Sequence, residues 1–422
     1  MLVDRFFFVE RARLQRAMVE MGEAFIGEID PAIVVRNLVK KLPQILGLRF
    51  AALYLFRSQE LEQVASPSSL PATLALPRAF YRHLRRRATL ARLDGLEFLR
   101  LRSPDVDQLA RSLGALGVEV VAALASSRRR IGLVLLSGKT GQTTLEQEEL
   151  DLLRGLFHQA AIALETSILL EERAWQAELE RELEIASAIQ RSVLPASLAL
   201  GPSWQVAAAC RTARHVGGDF YAALPGPIAS TQAVIYGDVS GKSVPGALMM
   251  MAAKEVFHSL ALSAADPEEL FRLANQRLYD LGKRSFVALG YFTPTAGGEG
   301  LRYLIAGQPQ PMKRLVSGEI QLLTLPEHRL PLGALRGGHY GALEARLGPG
   351  ELLFAYSDSV LEAHSPDGEM FGEERLAAVL AAAPADPEAV LERVLAALGA
   401  FTRGQEPYDD LTVIAVGRTE ER

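Results

Sequence analysis

One long helical segment divides this sequence into two stretches that must each bury a core of their own. It opens at TLEQEELDLL, where Thr144 followed by Gln147 has the spacing of a capping box, and apolar residues return at helical intervals through HQAAIALE as far as Val193. Pro195 ends it, since proline offers no amide donor and its ring has no place inside a helix. From Ser167 onward, Ile168, Trp175, Leu179, Ala186, Ile189 and Val193 form an alternating three-and-four stripe, interrupted by Glu172 and Glu182. Such a stripe suits either a short coiled coil, which would make the protein a parallel homodimer, or a helix laid against its own domains. A chain of 422 residues also exceeds one ordinary core, so two domains are expected.

Charge and cysteine content narrow the function classes. A net charge of -5 and a pI near 5.9 give no general attraction for phosphate backbones or anionic lipid, so nucleic acid is not an expected partner. The single cysteine, Cys210, permits no intrachain disulfide and no multi-thiolate zinc site, and fits a reducing compartment. MLVDRFFFVERARLQ lacks the apolar core and cleavage site of a signal peptide, and no apolar run of spanning length occurs, so a cytoplasmic protein without a membrane segment is expected.

Before the long helix, apolar spacing from residue 11 to about 47 predicts two helices broken at Asp30-Pro31. RFAALYLF (49–56) reads as a strand, the Pro-rich ASPSSLPATLALP as loop, and LPRAFYRHLRRRATL as helix. VEVVAALAS and RRIGLVLLSGK, separated by a basic turn, read as a hairpin. The arginines at 85–87 and 128–130 read as solvated faces. This order of elements resembles a GAF domain, above all in the ending IGLVLLSGK, TLEQEELDLL, HQAAIALE. The resemblance implies a sensor, with a small molecule, a partner protein or dimerisation alone as its input. Cys210 lies outside it, which excludes a thioether-linked bilin, and only His83 and His158 could ligate a haem there.

After Pro195 the sequence is strand-rich. WQVAAACR, TQAVIYGDVS, SFVALGYFTP, LRYLIAG, ELLFAYSD and LTVIAVG are short β-runs, with helices SVPGALMMMAAKEVFHSLAL, DPEELFRLANQRLYDLG and DPEAVLERVLAALGAFT between them. The last two open on Asp-Pro, an N-cap followed by proline at the first helical position. The pattern suits two antiparallel sheets with helices on their outer faces. Four signals each put aspartate beside a β-run: VGGDF (Asp219), YGDVSGKS (Asp238), AYSDS (Asp358) and YDDLT (Asp409, Asp410). Carboxylates at such a rim are costly unless compensated, and a divalent cation compensates them; all-oxygen ligands select magnesium or manganese over zinc. GDVSGKS is not a phosphate-binding loop, because that motif needs glycine at position 236, which is Tyr236.

Taken in order, AIQRSVLP, VGGDFY, GDVSGKSVPGALMM, LRYLIAGQPQPM, PLG, YSDSVLEAHSPDGEMFG and DDLT resemble the protein phosphatase 2C family. The likeness is to its bacterial branch, typified by the stage II sporulation protein E and by stress-response phosphatases of partner-switching pathways. Together the two resemblances imply an α+β fold class: a GAF-type antiparallel sheet with helices, a helical linker, then a β-sandwich flanked by helices. The domains they imply are a helical extension 1–14, a GAF sensor 15–168, a linker 169–194, a phosphatase 195–418 and a tail 419–422. The phosphatase likeness further implies two divalent cations, Mn2+ or Mg2+, held by Asp219, Asp238, the Val239 carbonyl, Asp358 and Asp409, with Asp410 as the alternative in its pair. By the same likeness they would activate a bridging water for attack on phosphoserine or phosphothreonine of a protein supplied in trans, an antagonist of an anti-sigma factor.

Arg214 and Lys242 are candidate phosphate contacts. Ser240 stands where eukaryotic members carry a histidine, so no side chain is assigned as general acid. Ser359, Ser243, Gln308 and Ala222 depart from the usual residues, and Ser359 is expected to strain the turn presenting Asp358. Met249, Met250 and Met251 follow the Asp238 motif as flexible core filler or as part of a movable helix. The competing function is a catalytically silent relay that uses the same fold as a binding surface; hydrolysis of a small phosphoester metabolite is a third.

Overall fold

The structure is a computed structural model and describes residues 2–27, 30–57, 60–65, 70–80, 90–126, 129–141, 143–226, 232–241, 243–281, 285–405 and 407–419. The chain forms two compact units, Met1–Glu178 and Leu179–Arg422, and the helix Gln147–Val193 contributes to both. Among the described residues no helix is long and apolar enough to cross a membrane.

The first unit is a six-stranded antiparallel sheet, β1 (Ala51–Arg57), β2 (Glu60–Ala65), β3 (Thr73–Leu74), β4 (Leu90–Arg92), β5 (Val118–Ala125) and β6 (Arg130–Ser137), in the order β3-β2-β1-β6-β5-β4. Period-two alternation fills both faces. Ala51, Leu53, Val134 and Leu136 pack against the helices Leu2–Gly27, Leu42–Leu46 and Gln147–Val193, while Ala52, Tyr54, Leu133 and Leu135 pack against Pro104–Ala115 and the segment around Phe80. The first helices break where expected: the Asp30 side chain accepts the Ala32 amide ahead of Pro31. β5 and β6 pair as the expected hairpin.

Three details differ from the sequence reading. The long helix starts at Gln147, and the Glu149 carboxylate, rather than the Thr144–Gln147 pair, closes its first turn on the Glu146 amide at 2.8 Å. The Pro-rich loop contains the edge strand β3, too short for any periodicity to show. Arg129 is not merely solvated, because its guanidinium meets Glu172 with two hydrogen bonds of 3.1 and 3.0 Å. His83 and Arg85–Arg87 lie outside the described residues.

The second unit stacks two five-stranded antiparallel sheets between helices. One holds β8 (Phe220–Pro225), β9 (Gln232–Val239), β10 (Val287–Pro294), β11 (Gly300–Ala306) and β14 (Leu343–Arg346), in the order β14-β11-β10-β9-β8. The other holds β7 (Trp204–Arg211), β12 (Met312–Arg314), β13 (Ile320–Leu322), β15 (Leu352–Tyr356) and β16 (Leu411–Arg418), in the order β13-β12-β15-β16-β7. Tyr236, Phe292 and Tyr303 from the first sheet meet Leu353, Ile414 and Val416 from the second in one core. The outer face of the first sheet is covered by helices Val244–Ala261 and Pro267–Leu281, through Met250, Phe257 and Phe271. Gly372–Ala381 and Pro387–Phe401 cover the second through Leu380, Val394 and Leu398. The Asp-Pro starts work as expected: Asp386 accepts the Ala389 amide and Asp266 the Glu269 amide.

Candidate active site

Antiparallel pairing alone brings the four aspartate motifs together in pairs. Asp219 immediately precedes β8 and Asp238 is the penultimate residue of β9; the register Phe220↔Gly237 sets them side by side. Asp358 follows the end of β15 and Asp409–Asp410 precede β16, where the Ser357 amide donates to the Thr412 carbonyl at 2.9 Å. One pair therefore rims each sheet.

The electrostatics show the pairs meeting. Asp219 is buried, and among the described residues neither carboxylate oxygen reaches a donor. Burial holds its carboxyl well above the usual range, with the charge of Asp238 adding and the nearby Thr412 hydroxyl partly offsetting. Asp238 is pushed up to about 6, first by burial and then by the negative charge of Asp358; Asp409 and Asp410 add, while the adjoining Asp219 carboxyl pulls it back. Among the described residues, no arginine or lysine is one of the groups that compensate these carboxylates.

Among the described residues no set of three or more His, Cys, Asp or Glu side chains is assembled as a metal cage. The donors nevertheless fit a hard cation. Two buried carboxylate oxygens without partners face a second carboxylate, and the Val239 carbonyl lies so near that a Cβ on Gly218 would meet it at 2.7 Å. The remaining coordination would fall to Asp358, Asp409 and solvent.

Asp410 is differently used. Its two oxygens accept the Ala213 amide at 2.8 Å and the Gly218 amide at 2.6 Å, so it organises the loop ahead of Asp219. Arg214 is exposed and donates to the Ser243 hydroxyl at 3.3 Å, which puts it beside the turn after Asp238; Lys242 lies outside the described residues. Ser243, at φ 68 and ψ -148, occupies a backbone region that favours glycine. Ser240 is taken up by backbone, its amide donating to the Phe286 carbonyl and its hydroxyl accepting the Phe286 amide.

The expected strain at Ser359 is absent. Ser359 is the first residue of the short helix Ser359–Glu362, capped by Asp358 at φ -59, and its hydroxyl pairs with that of Ser357 at 2.9 Å. Gln308 is likewise accommodated, donating to the carbonyl of Ala288, the β10 partner of Asp238. Met250 is core, with Met249 and Met251 packed at its edge. Cys210 is no nucleophile: burial first, and then the charge of Asp219, pushes its thiol up to about 12.

Sequence reasoning missed two residues. The Thr412 hydroxyl is buried beside Asp219, and Gln190, buried at the end of the long helix, bonds both polar groups of Gly217. Gln190 lies in AIQRSVLP, which belongs to the family likeness, yet that likeness gives this side chain no role.

Residues 229–419 match the model of the Stage II sporulation protein E (SpoIIE) family, and residues 30–166 match a GAF domain. The chain carries a GAF domain followed by a SpoIIE-type domain. The SpoIIE match includes Asp238, Asp358, Asp409 and Asp410 and begins after Asp219. Protein IcfG of Synechocystis sp. is 28% identical over 271 residues, covering 56% of this chain and 41% of IcfG. Phosphoserine phosphatase RsbU of Bacillus subtilis is 23% identical over 197 residues, 46% of this chain and 58% of RsbU. The chain thus spans about half the length of these relatives. Among solved structures, the SiaA-PP2C domain of Pseudomonas aeruginosa superposes with a TM-score of 0.50 at 24% identity, covering 59% of this chain and 98% of that domain, which shows the shared fold of the SpoIIE-type domain.

Proposed function

We propose that the SpoIIE-type domain is a metal-dependent phosphatase that removes phosphate from serine or threonine of a protein supplied in trans. The observation that carries this reading is Asp219: a buried carboxylate with no donor among the described residues, set against Asp238, which in turn feels the charge of Asp358 and Asp409. Asp219, Asp238, the Val239 carbonyl, Asp358 and Asp409 would hold two Mn2+ or Mg2+ ions. When bound, such ions supply a water of lowered pKa and neutralise charge on the phosphoryl oxygens. Asp358 is exposed to solvent, where it would complete the ligand set, and Asp410 keeps the Ala213–Gly218 loop in place. Arg214, beside Ser243, would take the substrate phosphate, with Lys242, next to Ser243 in the sequence, as the second candidate.

The name of phosphoserine phosphatase RsbU supports phosphoserine as substrate, and the resemblance of the sequence motifs to partner-switching phosphatases makes a phosphorylated anti-sigma factor antagonist the protein we propose is acted upon. The GAF domain would regulate this activity through a ligand or partner protein, and the exposed stripe of the long helix supports a parallel homodimer. The acidic balance speaks against nucleic acid as a partner. The silent-relay alternative rested on Ser359 and Gln308, and both are accommodated without displacing an aspartate.

The test is hydrolysis of p-nitrophenyl phosphate and a phosphoserine peptide by the full chain with manganese, magnesium or chelator, beside Asp358→Asn. Turnover should require the cation and fall at least about 100-fold in the variant, the upper end of what loss of a supporting group at a metal site costs. Turnover that survives chelation, or is unchanged in Asp358→Asn, would refute the reading.

A further inference from the structure

The last turn of the helix Gln147–Val193 ends on the segment that presents Asp219. Gln190 is buried while its neighbours Ile189 and Arg191 are exposed. Its Nε2 donates to the Gly217 carbonyl at 2.8 Å, and its Oε1 accepts the Gly217 amide at 3.1 Å. One side-chain amide thus satisfies both backbone groups of the residue two places before Asp219. The peptide joining Gly217 to Gly218 is thus held at both of its polar groups, its carbonyl by Gln190 and its amide by Asp410. The strand β8 begins only at Phe220. Asp219, whose own carboxylate has no partner, is therefore placed by side chains that grip its approach.

That approach has little room to be placed otherwise. A Cβ on Gly217 would meet the Asp410 carboxylate at 2.0 Å, and one on Gly218 would meet the Val239 carbonyl at 2.7 Å. The segment threads between the two, and Gln190 ties it at the two consecutive peptides that flank Gly217, through the amide of the first and the carbonyl of the second. A second tie fixes the same helix end: Lys254, on the helix Val244–Ala261 that follows the Asp238 turn, donates to the Val193 carbonyl.

We propose that Gln190 is a positioning residue for Asp219, setting through Gly217 the orientation in which that carboxylate receives a divalent cation. The proposal rests on the phosphatase reading of Asp219. If Gln190 only filled space, an isosteric apolar side chain would serve equally. If it positions Asp219, such a side chain leaves Gly217 unpaired and loosens the carboxylate while the fold persists.

The experiment uses the full chain with Gln190→Met, which keeps the length and burial of the side chain, Gln190→Glu, which keeps the acceptor for the Gly217 amide but loses the donor, and Ile189→Ala as a control on the same turn. Manganese affinity is read from the paramagnetic resonance of the free ion, backbone mobility from hydrogen exchange across residues 212–220, and kcat and KM from p-nitrophenyl phosphate. Gln190→Met should bind manganese roughly tenfold more weakly, as losing a supporting partner of a metal ligand does. Exchange at residues 216–219 should quicken, the far-UV spectrum should persist, and KM at saturating manganese should stay as in the wild type. Gln190→Glu should move in the same direction, and it decides the matter if Gln190→Met does not fold. Wild-type affinity and exchange in either folded glutamine variant, or an equal loss in Ile189→Ala, would overturn the proposal while leaving the phosphatase reading intact. A wild-type chain that neither binds manganese nor hydrolyses the ester would instead remove that reading, and the proposal with it.

Discussion

At Asp219 the chain folds a carboxylate into a place where neither oxygen reaches a donor. Burying such a group uncompensated costs folding free energy, which proteins recover by protonation or by a bound cation. Burial raises the carboxyls of Asp219 and Asp238, the direction of the first route. Asp219→Asn removes the charge at nearly constant volume. The metal-free variant should therefore be more stable than the metal-free wild type by about 1–3 kcal/mol, the scale of an unsatisfied buried polar group. For a unit of this size that is several degrees in melting temperature. Added manganese should raise the wild-type melting temperature and leave that of Asp219→Asn where it is, both read by calorimetry. A variant less stable than wild type without metal would mean that Asp219 is held by something other than a cation. The aspartates were legible in the sequence because each flanks a β-run. Gln190 was not, because nothing local tells which helical residue will face a loop 27 positions on. Ser359 misled because an absent glycine suggests strain, whereas Asp358 here caps a helix in ordinary right-handed backbone.

Among the elements, two helical glycines look alike in sequence and differ in surroundings. Gly399, in Pro387–Phe401, has open space where a Cβ would go, so Gly399→Ala should stabilise by about 0.5–1 kcal/mol through helix propensity alone. Gly246, in Val244–Ala261, packs on the turn after Asp238, and its Cβ would meet the Gly241 carbonyl at 2.2 Å. There the same substitution must push helix and turn apart, costing about 1–3 kcal/mol as overpacking does, and lowering turnover because the displaced turn follows Asp238 and Val239. Denaturant melts of both variants with their p-nitrophenyl phosphate rates test the contrast, and a Gly246→Ala chain of wild-type stability and activity would refute it. The long strands and the Asp-Pro helices were readable from period and caps. The strands β8, β12, β13 and β14 were not, being short, or alanine-rich and directly after the VGGD turn, so that pairing partners rather than local pattern make them strands.

For the whole molecule, the 47-residue helix leaves an apolar stripe uncovered by its own chain. Trp175, Leu179 and Ile189 are 66%, 42% and 52% exposed, and residues 171–180 are exposed throughout. Glu172, one of the two acidic interruptions, is engaged by Arg129 and so does not stand free on the seam. A second copy aligned in parallel would bury the stripe against itself, as heptad spacing favours. The expected outcome is a dimer at micromolar concentration by light scattering. Trp175→Glu with Leu179→Glu should weaken it by at least about 3 kcal/mol, roughly two orders of magnitude in Kd, since burying one such apolar side chain contributes about 1.5–3 kcal/mol. Because Gln190 sits in the last turn of the same helix, at the approach to Asp219, the monomeric variant also separates assembly from catalysis. Unchanged manganese-dependent turnover in the monomer would place the helix seam outside the active site's requirements. A wild-type chain that is monomeric at that concentration would leave the stripe for some partner other than a second copy.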